Sequence, residues 1–437
     1  MPNKLKEIII SRLLVIAEIL AVIASGIVAD IIPQRFQSSA DQISQWRTLH
    51  SGLIPLADLL QLHSVYTSFW FVLVIALAGI SLAVSSVDQI RLARNRIKVV
   101  VTSGQELATI NEIKPEQLRR IAAAGYRPQP VGQDRALKFI RCSWGYWGTA
   151  LFHIGMVVVI ATSLVIALTE RRGALMIAQG ETLAPTDEWT NTEEGLLAGK
   201  LRLPATFRFD DLRITYDSRN IPEHIESLVT FIRSGSQEQL SVAVNAVARY
   251  QGMRIYHANE YGDAFSLEFI APDGSRHLEK LLIEHPTGLK EAGYLDTKLP
   301  WLPFTLSLKY FADFEHKSMN SPNRQLIMRL MTEKQERARA TLIANQSARL
   351  GDYQVRLLRV DKWAKFTFVD VHGMAAVFAG FALMMLGALL SYMTPPRELF
   401  IVPQEDNRYS AYWRSTKFAE FYAEERAALV SILESAA

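Results

Sequence analysis

"WGTALFHIGMVVVIATSLVIAL", Trp147 to Leu168, is the stretch that decides the fold. It is long enough to cross the roughly 30 Å hydrocarbon core of a bilayer, which takes about 20 residues at 1.5 Å each. No Asp, Glu, Lys or Arg interrupts it, yet His153 lies inside. A polar group at that depth costs several kcal/mol unless it has a partner. Two readings of the imidazole stand: a hydrogen bond to a neighbouring helix, or a ligand for something carried within the membrane.

Outward from it, three more segments can span: "LLVIAEILAVIASGIVADII" (Leu13–Ile32), "FWFVLVIALAGISLAVSSV" (Phe69–Val87) and "FTFVDVHGMAAVFAGFALMMLGALLSYM" (Phe366–Met393). The first is long for the apolar part of a secretory signal and no small-residue cleavage site follows, so it reads as a retained anchor. Lysine and arginine give the orientation. Lys4, Lys6 and Arg12 open the chain, and "RLARNRIK" with Lys114, Arg119, Arg120, Arg127, Arg135, Lys138 and Arg141 follows the second span. Between the first two spans stand only Arg35 and Arg47. The expected order is a cytoplasmic start and first span (1–32), an external segment (33–68), a span (69–87), a cytoplasmic loop (88–146) and a span (147–168). An external domain (169–365), a span (366–393) and a cytoplasmic tail (394–437) complete it.

The 88–146 loop reads as a small helical element, because "KPEQLRRIAAAGYRP" has helical spacing and closes at Gly125. The 169–365 region has another period. "FRFDDLRITY", "FSLEFI", "FTLSLKYF" and "YQVRLL" alternate apolar and polar residues, as half-buried strands do, and "APDGS" at 271–275 is a hairpin-type turn. The expected fold is therefore an integral membrane α-helical part with four transmembrane helices, plus a large external mainly-β domain, sandwich or barrel-like. "NSPNRQLIMRLMTEKQERARAT" is more polar and ambiguous between helix and strand.

The formal charge of +3 is small and its bases flank spans, which argues for a bilayer and against a nucleic acid. Cys142 is the single cysteine, so no internal disulfide, CxxC pair or CxxCH motif exists. Nucleotide-binding glycine patterns, HExxH and GxSxG are absent too. Trp144-Gly145-Tyr146-Trp147-Gly148 reads as an aromatic belt where the third span leaves the interface.

Of nine histidines, His50, His63, His153, His257 and His372 have suggestive neighbours, while His224, His277, His285 and His316 read as solvated. His153 lies ~9 Å from Trp147 along a helix, in the inner half of the membrane. His372, six residues past Phe366, is expected ~9 Å below the outer edge, roughly 12 Å from the height of His153. Two nitrogens on one metal lie only about 4 Å apart, so these two do not share one centre. On a helix Asp370 and His372 would diverge by about 200° and not face each other, leaving His372 to bond a neighbouring span.

The order of motifs resembles a known family over almost the whole chain. "IVADIIPQ", "HSVYTSFWFVLVIALAGISLAVSSVDQIR" and "WGTALFHIGMVVVI" come first, then "FRFDDLRITY", "IPEHIESLVTFI" and "VNAVARYQGMRIYHANEYG", and last "FAGFALMMLGALLSYMTPPREL". Together they resemble the ResB (CcsB) family of system II cytochrome c biogenesis. The resemblance implies a membrane subunit that works with a CcsA (ResC)-like haem-handling protein. The pair would hold non-covalent haem b, move it outward and deliver it for attachment to apocytochrome c. It maps the family's intramembrane histidine onto His153 in "FHIG", as an axial ligand of haem iron, with the opposite ligand supplied by the partner. His372 is a secondary haem candidate at an outward site. The site is the inner (plasma) or thylakoid membrane, with both termini cytoplasmic or stromal.

Relatives often show Asp-Pro-Gly where this chain has Asp370-Val371-His372-Gly373, and a cysteine where it has Ser85-Ser86. A tryptophan-rich WGxxWxWD-like motif is absent, so the expected role is a non-catalytic or co-catalytic subunit of a haem lyase. The alternative is a scaffold that binds no haem and whose external domain recruits apocytochrome c or a thioredoxin-like thiol reductant. The expected contact elements are strand ends in Arg249–Gly262, including Tyr256 and Tyr261, which suit pairing with an extended segment.

Overall fold

The computed structural model describes residues 3–38, 40–99, 104–130, 136–332, 335–343, 346–404 and 408–435; Arg135 lies outside them. The chain separates into two compact units, Met1–Leu168 with His372–Ala437, and Thr169–Val371.

In the first unit a short helix α1 (Asn3–Ile9) precedes α2 (Arg12–Ile31), which Ser11 caps by accepting from the Leu14 amide. Helix α2 stops before Pro33, which cannot donate to a further turn. The connecting segment holds α3 (Ala40–Leu49) and α4 (Ile54–Leu59), then a 3-10 turn at Leu62–Thr67. Ser68 caps α5 (Phe69–Lys98), which continues well past the expected end at Val87. Its last carbonyls are bound from outside the helix, where Lys138 Nζ donates to Arg96 O (2.6 Å) and Val99 O (2.7 Å).

Next come β1 (Gln105–Ile110), α6 (Pro115–Ala123), β2 (Arg127–Gln129), β3 (Leu137–Arg141) and α7 (Trp147–Thr169). The helix expected in "KPEQLRRIAAAGYRP" is present as α6, but the 88–146 segment is not merely helical. Its strands join two from the tail, described below, in one antiparallel sheet.

The second unit is built from strands: β4 (Arg171–Ala178), β5 (Thr182–Leu183), β6 (Asn191–Glu194), β7 (Thr206–Tyr216), β8 (Pro222–Arg233), β9 (Ser236–Ala243) and β10 (Val247–Tyr250). After them run β11 (Met253–Ile270), β12 (Arg276–Glu284), β13 (Gly293–Lys298), β14 (Thr305–Phe311), β15 (Gln325–Thr332), β16 (Gln335–Ile343), β17 (Ser347–Leu350) and β18 (Tyr353–Asp370). The long antiparallel pair β11 and β18 passes through two stacked sandwiches. At one end it lies in the order β10-β11-β18-β4-β6 opposite β5-β7-β8-β9, around Phe207, Phe209, Phe231, Phe366 and Phe368. At the other end β12 and β17 flank it opposite β13-β14-β15-β16, around Phe265, Phe269, Leu308, Met328 and Leu342. The mainly-β expectation holds as sandwiches, and no closed barrel occurs among the described residues. The ambiguous polar stretch forms β15 and β16, on either side of 333–334, which lie outside the described residues.

The first unit resumes with α8 (Met374–Met393), β19 (Arg397–Pro403), β20 (Tyr409–Ser415) and α9 (Ala423–Glu434). The fourth span therefore begins at Met374, not at Phe366. In "KFTFVD" Phe366 and Phe368 alternate inward and are buried in the β core; hydropathy alone reads them as lipid-facing. The five-stranded sheet runs β1-β20-β19-β3-β2, with Ile121 of α6 and Leu429 and Leu433 of α9 in its core. Inside it Lys138 and Glu398 form a fully buried ion pair at 2.9 Å. Burial holds the Lys138 ammonium below its usual range, and the Glu398 carboxylate partly offsets this.

Among the described residues four helices are long and apolar enough to cross a membrane: Arg12–Ile31, Phe69–Lys98, Ser143–Thr169 and Met374–Met393. The protein is read as an integral membrane protein on that basis.

Candidate functional site

Helix α7 carries His153 half-buried, and the packing of α7 decides which way the imidazole points. Gly148 and Gly155 meet the backbone of α8 at Gly387 and Gly380. A Cβ on Gly155 would lie 2.7 Å from the Gly380 carbonyl oxygen, and one on Gly148 2.7 Å from that of Gly387. Heptad spacing on both helices makes this a close antiparallel seam, in which small residues let two backbones touch. At 100° per residue His153 stands roughly 140–160° around α7 from that seam.

Ile160, two turns on from His153, shares its face to within about 20°. Its Cγ2 lies 3.2 Å from where a Cβ of Gly79 on α5 would be. The spans alternate in direction, so His153 sits at about the level of Ser86, whose hydroxyl donates to Leu82 O. That serine is one of the Ser85-Ser86 pair.

The His153 ring is held by one bond, between Nδ1 and the Thr149 carbonyl oxygen at 2.9 Å. A carbonyl only accepts, so Nδ1 carries the proton and Nε2 keeps a bare lone pair. Metal-ligating histidines are commonly arranged in this way, with the second nitrogen donating to a carbonyl. Among the described residues no group of three or more His, Cys, Asp or Glu is placed to hold a metal ion. A bare divalent cation needs such a set, whereas a porphyrin iron already has its equatorial nitrogens and needs only axial ligands. The donor set around His153 fits haem and does not fit a naked ion.

His372 is not in a helix. It stands exposed between the end of β18 at Asp370 and Gly373, whose φ of 100° starts α8. The helical divergence of Asp370 and His372 therefore does not apply. Asp370 pairs with Arg171 across β18 and β4. Gly373, next to His372, lies against Thr162 and Ile166 of α7, beyond His153 along that helix.

The connecting segment after α2 holds the other suggestive pair. His63 is 5% exposed, its Nδ1 bonds Pro33 O at 2.8 Å, and its Nε2 is buried without a hydrogen-bond partner. Trp46 lies against both rings, stacked on His50 (centroids 4.8 Å) and edge-on to His63 (5.0 Å).

In the β unit two histidines have both ring nitrogens engaged. His257 bonds Ala258 O through Nδ1 (2.6 Å) and Ser227 Oγ through Nε2 (2.9 Å). His285, read from sequence as solvated, sits with a 7% exposed side chain between Tyr216 Oη (2.8 Å) and Tyr310 Oη (3.1 Å). Beside it Arg324 donates to Asp263 at 2.7 Å. Burial holds both imidazoles below their ordinary range. Tyr261 stacks on His285 and so supports this junction, while Tyr256 is half-buried.

One polar residue of the spans escaped the sequence reading. Glu18, in the middle of α2, is 7% exposed and accepts from Ser81 Oγ of α5 at 2.7 Å. Its signal was plain, since a carboxyl inside an apolar run must find a partner.

A four-span membrane protein with a β-sandwich unit between its third and fourth spans, and one imidazole open on a spanning helix, defines a narrow class. Residues 13–294 match the ResB-like family, and the chain belongs to it. A protein of Synechococcus sp. (strain WH7803) named cytochrome c biogenesis protein CcsB is 26% identical over 276 residues, covering 59% of this chain and 60% of that protein. Another of that name, from Prochlorococcus marinus (strain AS9601), is 26% identical over 228 residues, covering 46% and 47%. The aligned part spans less than two thirds of each relative.

Proposed function

We propose that this protein serves cytochrome c biogenesis as a membrane subunit that holds haem in transit, with His153 Nε2 as an axial ligand of the iron. The observation that carries the reading is the tautomer imposed by Thr149 O on a ring turned away from the α8 seam. The names of the two relatives support the pathway. In this reading the second axial ligand comes from a CcsA-like membrane partner. The distribution of lysine and arginine supports cytoplasmic termini and an external 169–365 region that meets apocytochrome c. Haem brings the iron and the vinyl groups that react; Thr149 orients the ligand, and Gly148, Gly155, Gly380 and Gly387 fix the helix that presents it.

The test is the absorption spectrum of the detergent-purified complex with its partner. His153→Ala should remove the haem band at equal protein abundance, and added imidazole should restore it by filling the vacated position. An unchanged spectrum in His153→Ala refutes the ligand role and leaves the haem-free scaffold as the better reading.

A further inference from the structure

The β unit has one edge at which the chain arrives from α7 and leaves for α8. Arg171 of β4 stands opposite Asp370 of β18 there, and β6 returns antiparallel to the same level, with Glu194 opposite Arg171. One row of residues crosses the sheet just inside that edge. Arg249 is opposite Arg254, Arg254 opposite Val369, Val369 opposite Arg172, and Arg172 opposite Glu193. Residues of one row point to one face of a sheet. The adjacent row holds Ile255 and Phe368, which are buried in the sandwich core, so the arginine row is on the outer face. At its β4 end the row is balanced, because Arg172 Nε donates to Glu170 at 2.7 Å. At its β10 end it is not. Arg249 and Arg254 stand directly opposite each other, and among the described residues neither guanidinium has a hydrogen bond or an ion pair. Like charges so placed destabilise a sheet unless an anion meets them.

We propose that this edge is a lipid-binding rim, where Leu196 and Leu197 enter the acyl boundary of the adjoining leaflet and Arg249 with Arg254 takes the phosphate of a phospholipid headgroup. The rim stands apart from the haem-holding reading and needs only that α7 and α8 span. The chain itself keeps the edge at the bilayer surface. Arg172 is three residues past the last residue of α7, at most about 10 Å at 3.4 Å per residue, and a headgroup layer is about 5–8 Å deep. Beyond Glu194 the chain runs past the strand ends, where the Gly195 amide donates to Glu170 O at 2.9 Å, one residue after α7. The next two side chains, Leu196 (52%) and Leu197 (73%), are exposed, and burial in the acyl boundary would take their apolar surface out of water. Exposed apolar side chains along one edge with cations that lack counter-ions make up a surface suited to a membrane interface. Guanidinium forks match phosphate oxygens in bidentate fashion, which supplies the anion the arginine pair lacks.

The experiment places the full chain, on a Cys142→Ser background, in nanodiscs of phosphatidylcholine and phosphatidylglycerol. A fluorophore is attached at Leu197→Cys, at Val247→Cys two residues from Arg249, or at Leu278→Cys. Leu278 is as exposed as Leu197 (72%) but lies on β12, in the other sandwich. Lipid spin-labelled at the headgroup should quench the fluorophores at 197 and 247 at least twofold more than that at 278. Lipid labelled high in the acyl chain should quench 197 most. Arg249→Gln with Arg254→Gln should at least halve the quenching at 247. In neutral detergent the double variant should melt no lower than wild type, because glutamine keeps part of the stem and removes the opposed charges. Equal quenching at all three sites overturns the rim. Undiminished quenching at 247 in the double variant overturns the assignment of the arginines to headgroup phosphate. Fluorophores at 197 and 247 that stay unquenched in nanodiscs, and become shielded only when apocytochrome c is added, would make the edge a protein interface and overturn the inference.

Discussion

Two histidines of each unit are held in opposite ways. In the membrane unit His153 and His63 each give one nitrogen to a backbone carbonyl and leave the other bare. In the β unit His257 and His285 have both nitrogens occupied by protein. A ring with both nitrogens engaged is part of the packing, and its loss leaves partners stranded. A ring with one free lone pair retains ligand capacity. The comparison separates residues whose removal should harm stability from those whose removal should harm binding.

The largest effect should come from the seam that decides which face His153 presents. Gly155→Leu drives a side chain into the Gly380 carbonyl and Met384, at 2.7 Å already for the Cβ. Backbone cannot swing away, so the cost should reach about 3 kcal/mol or more. Gly26 on α2 has nothing within 4 Å of its Cβ position, so Gly26→Leu is the internal control. Thermal unfolding in detergent should drop for the first and hardly move for the second. Equal behaviour would mean α7 and α8 are not in backbone contact, and His153 would lose its defined direction.

Next in size is His285→Ala. It strands the hydroxyls of Tyr216 and Tyr310 and opens space at the junction of the two sandwiches, beside the Arg324–Asp263 pair. A loss of about 2–4 kcal/mol is expected, read by denaturant unfolding, with haem content per folded protein unchanged. His153→Ala should do the reverse, leaving stability within about 0.5 kcal/mol. A His285→Ala protein that is stable but haem-free would break the comparison outright.

A smaller effect follows from protons. Burial holds His257 and His285 below the ordinary imidazole value; for His285 the Asp263 charge acts the other way, and Arg324 and Lys362 act with burial. The folded state thus keeps both rings neutral while the unfolded chain takes up protons near pH 6.5. Below that pH the unfolded state binds more protons, so stability falls as pH falls, by at most about 1.4 kcal/mol per unit for each ring. The melting temperature of the β unit should be lower at pH 5.5 than at 7.5, with a shallower slope in His257→Asn/His285→Asn. A flat or rising profile on acidification would show that neither ring is held neutral.

What the sequence revealed follows the range of the interactions concerned. Spans are local runs of apolar residues, and all four were legible, as were strands that alternate over a few residues. The start of α8 was misplaced because "FTFV" is equally apolar as strand or helix, and only its partners β11 and β4 show which. The five-stranded sheet was invisible because β3 pairs with β19 across some 260 residues of chain, Arg141 opposite Arg397. His285 read as solvated for the same reason, since its partners stand 69 and 25 residues away in sequence. His153, by contrast, takes its bond from Thr149, one turn back in the same helix.

The smallest expected effect belongs to Cys142, which extends the comparison to a thiol. It is partly exposed, sits in a left-handed conformation (φ 58°) before the turn that leads into α7, and its Sγ accepts from Arg397 Nη2 at 3.2 Å. Arg397 is already committed, pairing with Glu425 at 3.4 Å and lying over the Tyr422 ring. A serine hydroxyl can accept the same guanidinium bond, and no second cysteine exists to resolve an oxidised thiol. Cys142→Ser should therefore keep stability within about 0.5 kcal/mol and leave haem content and cytochrome c maturation at the wild-type level. Loss of maturation at normal protein abundance would make this sulfur a reacting atom, and an acceptor with a protein partner could then no longer be counted as structural on geometry alone.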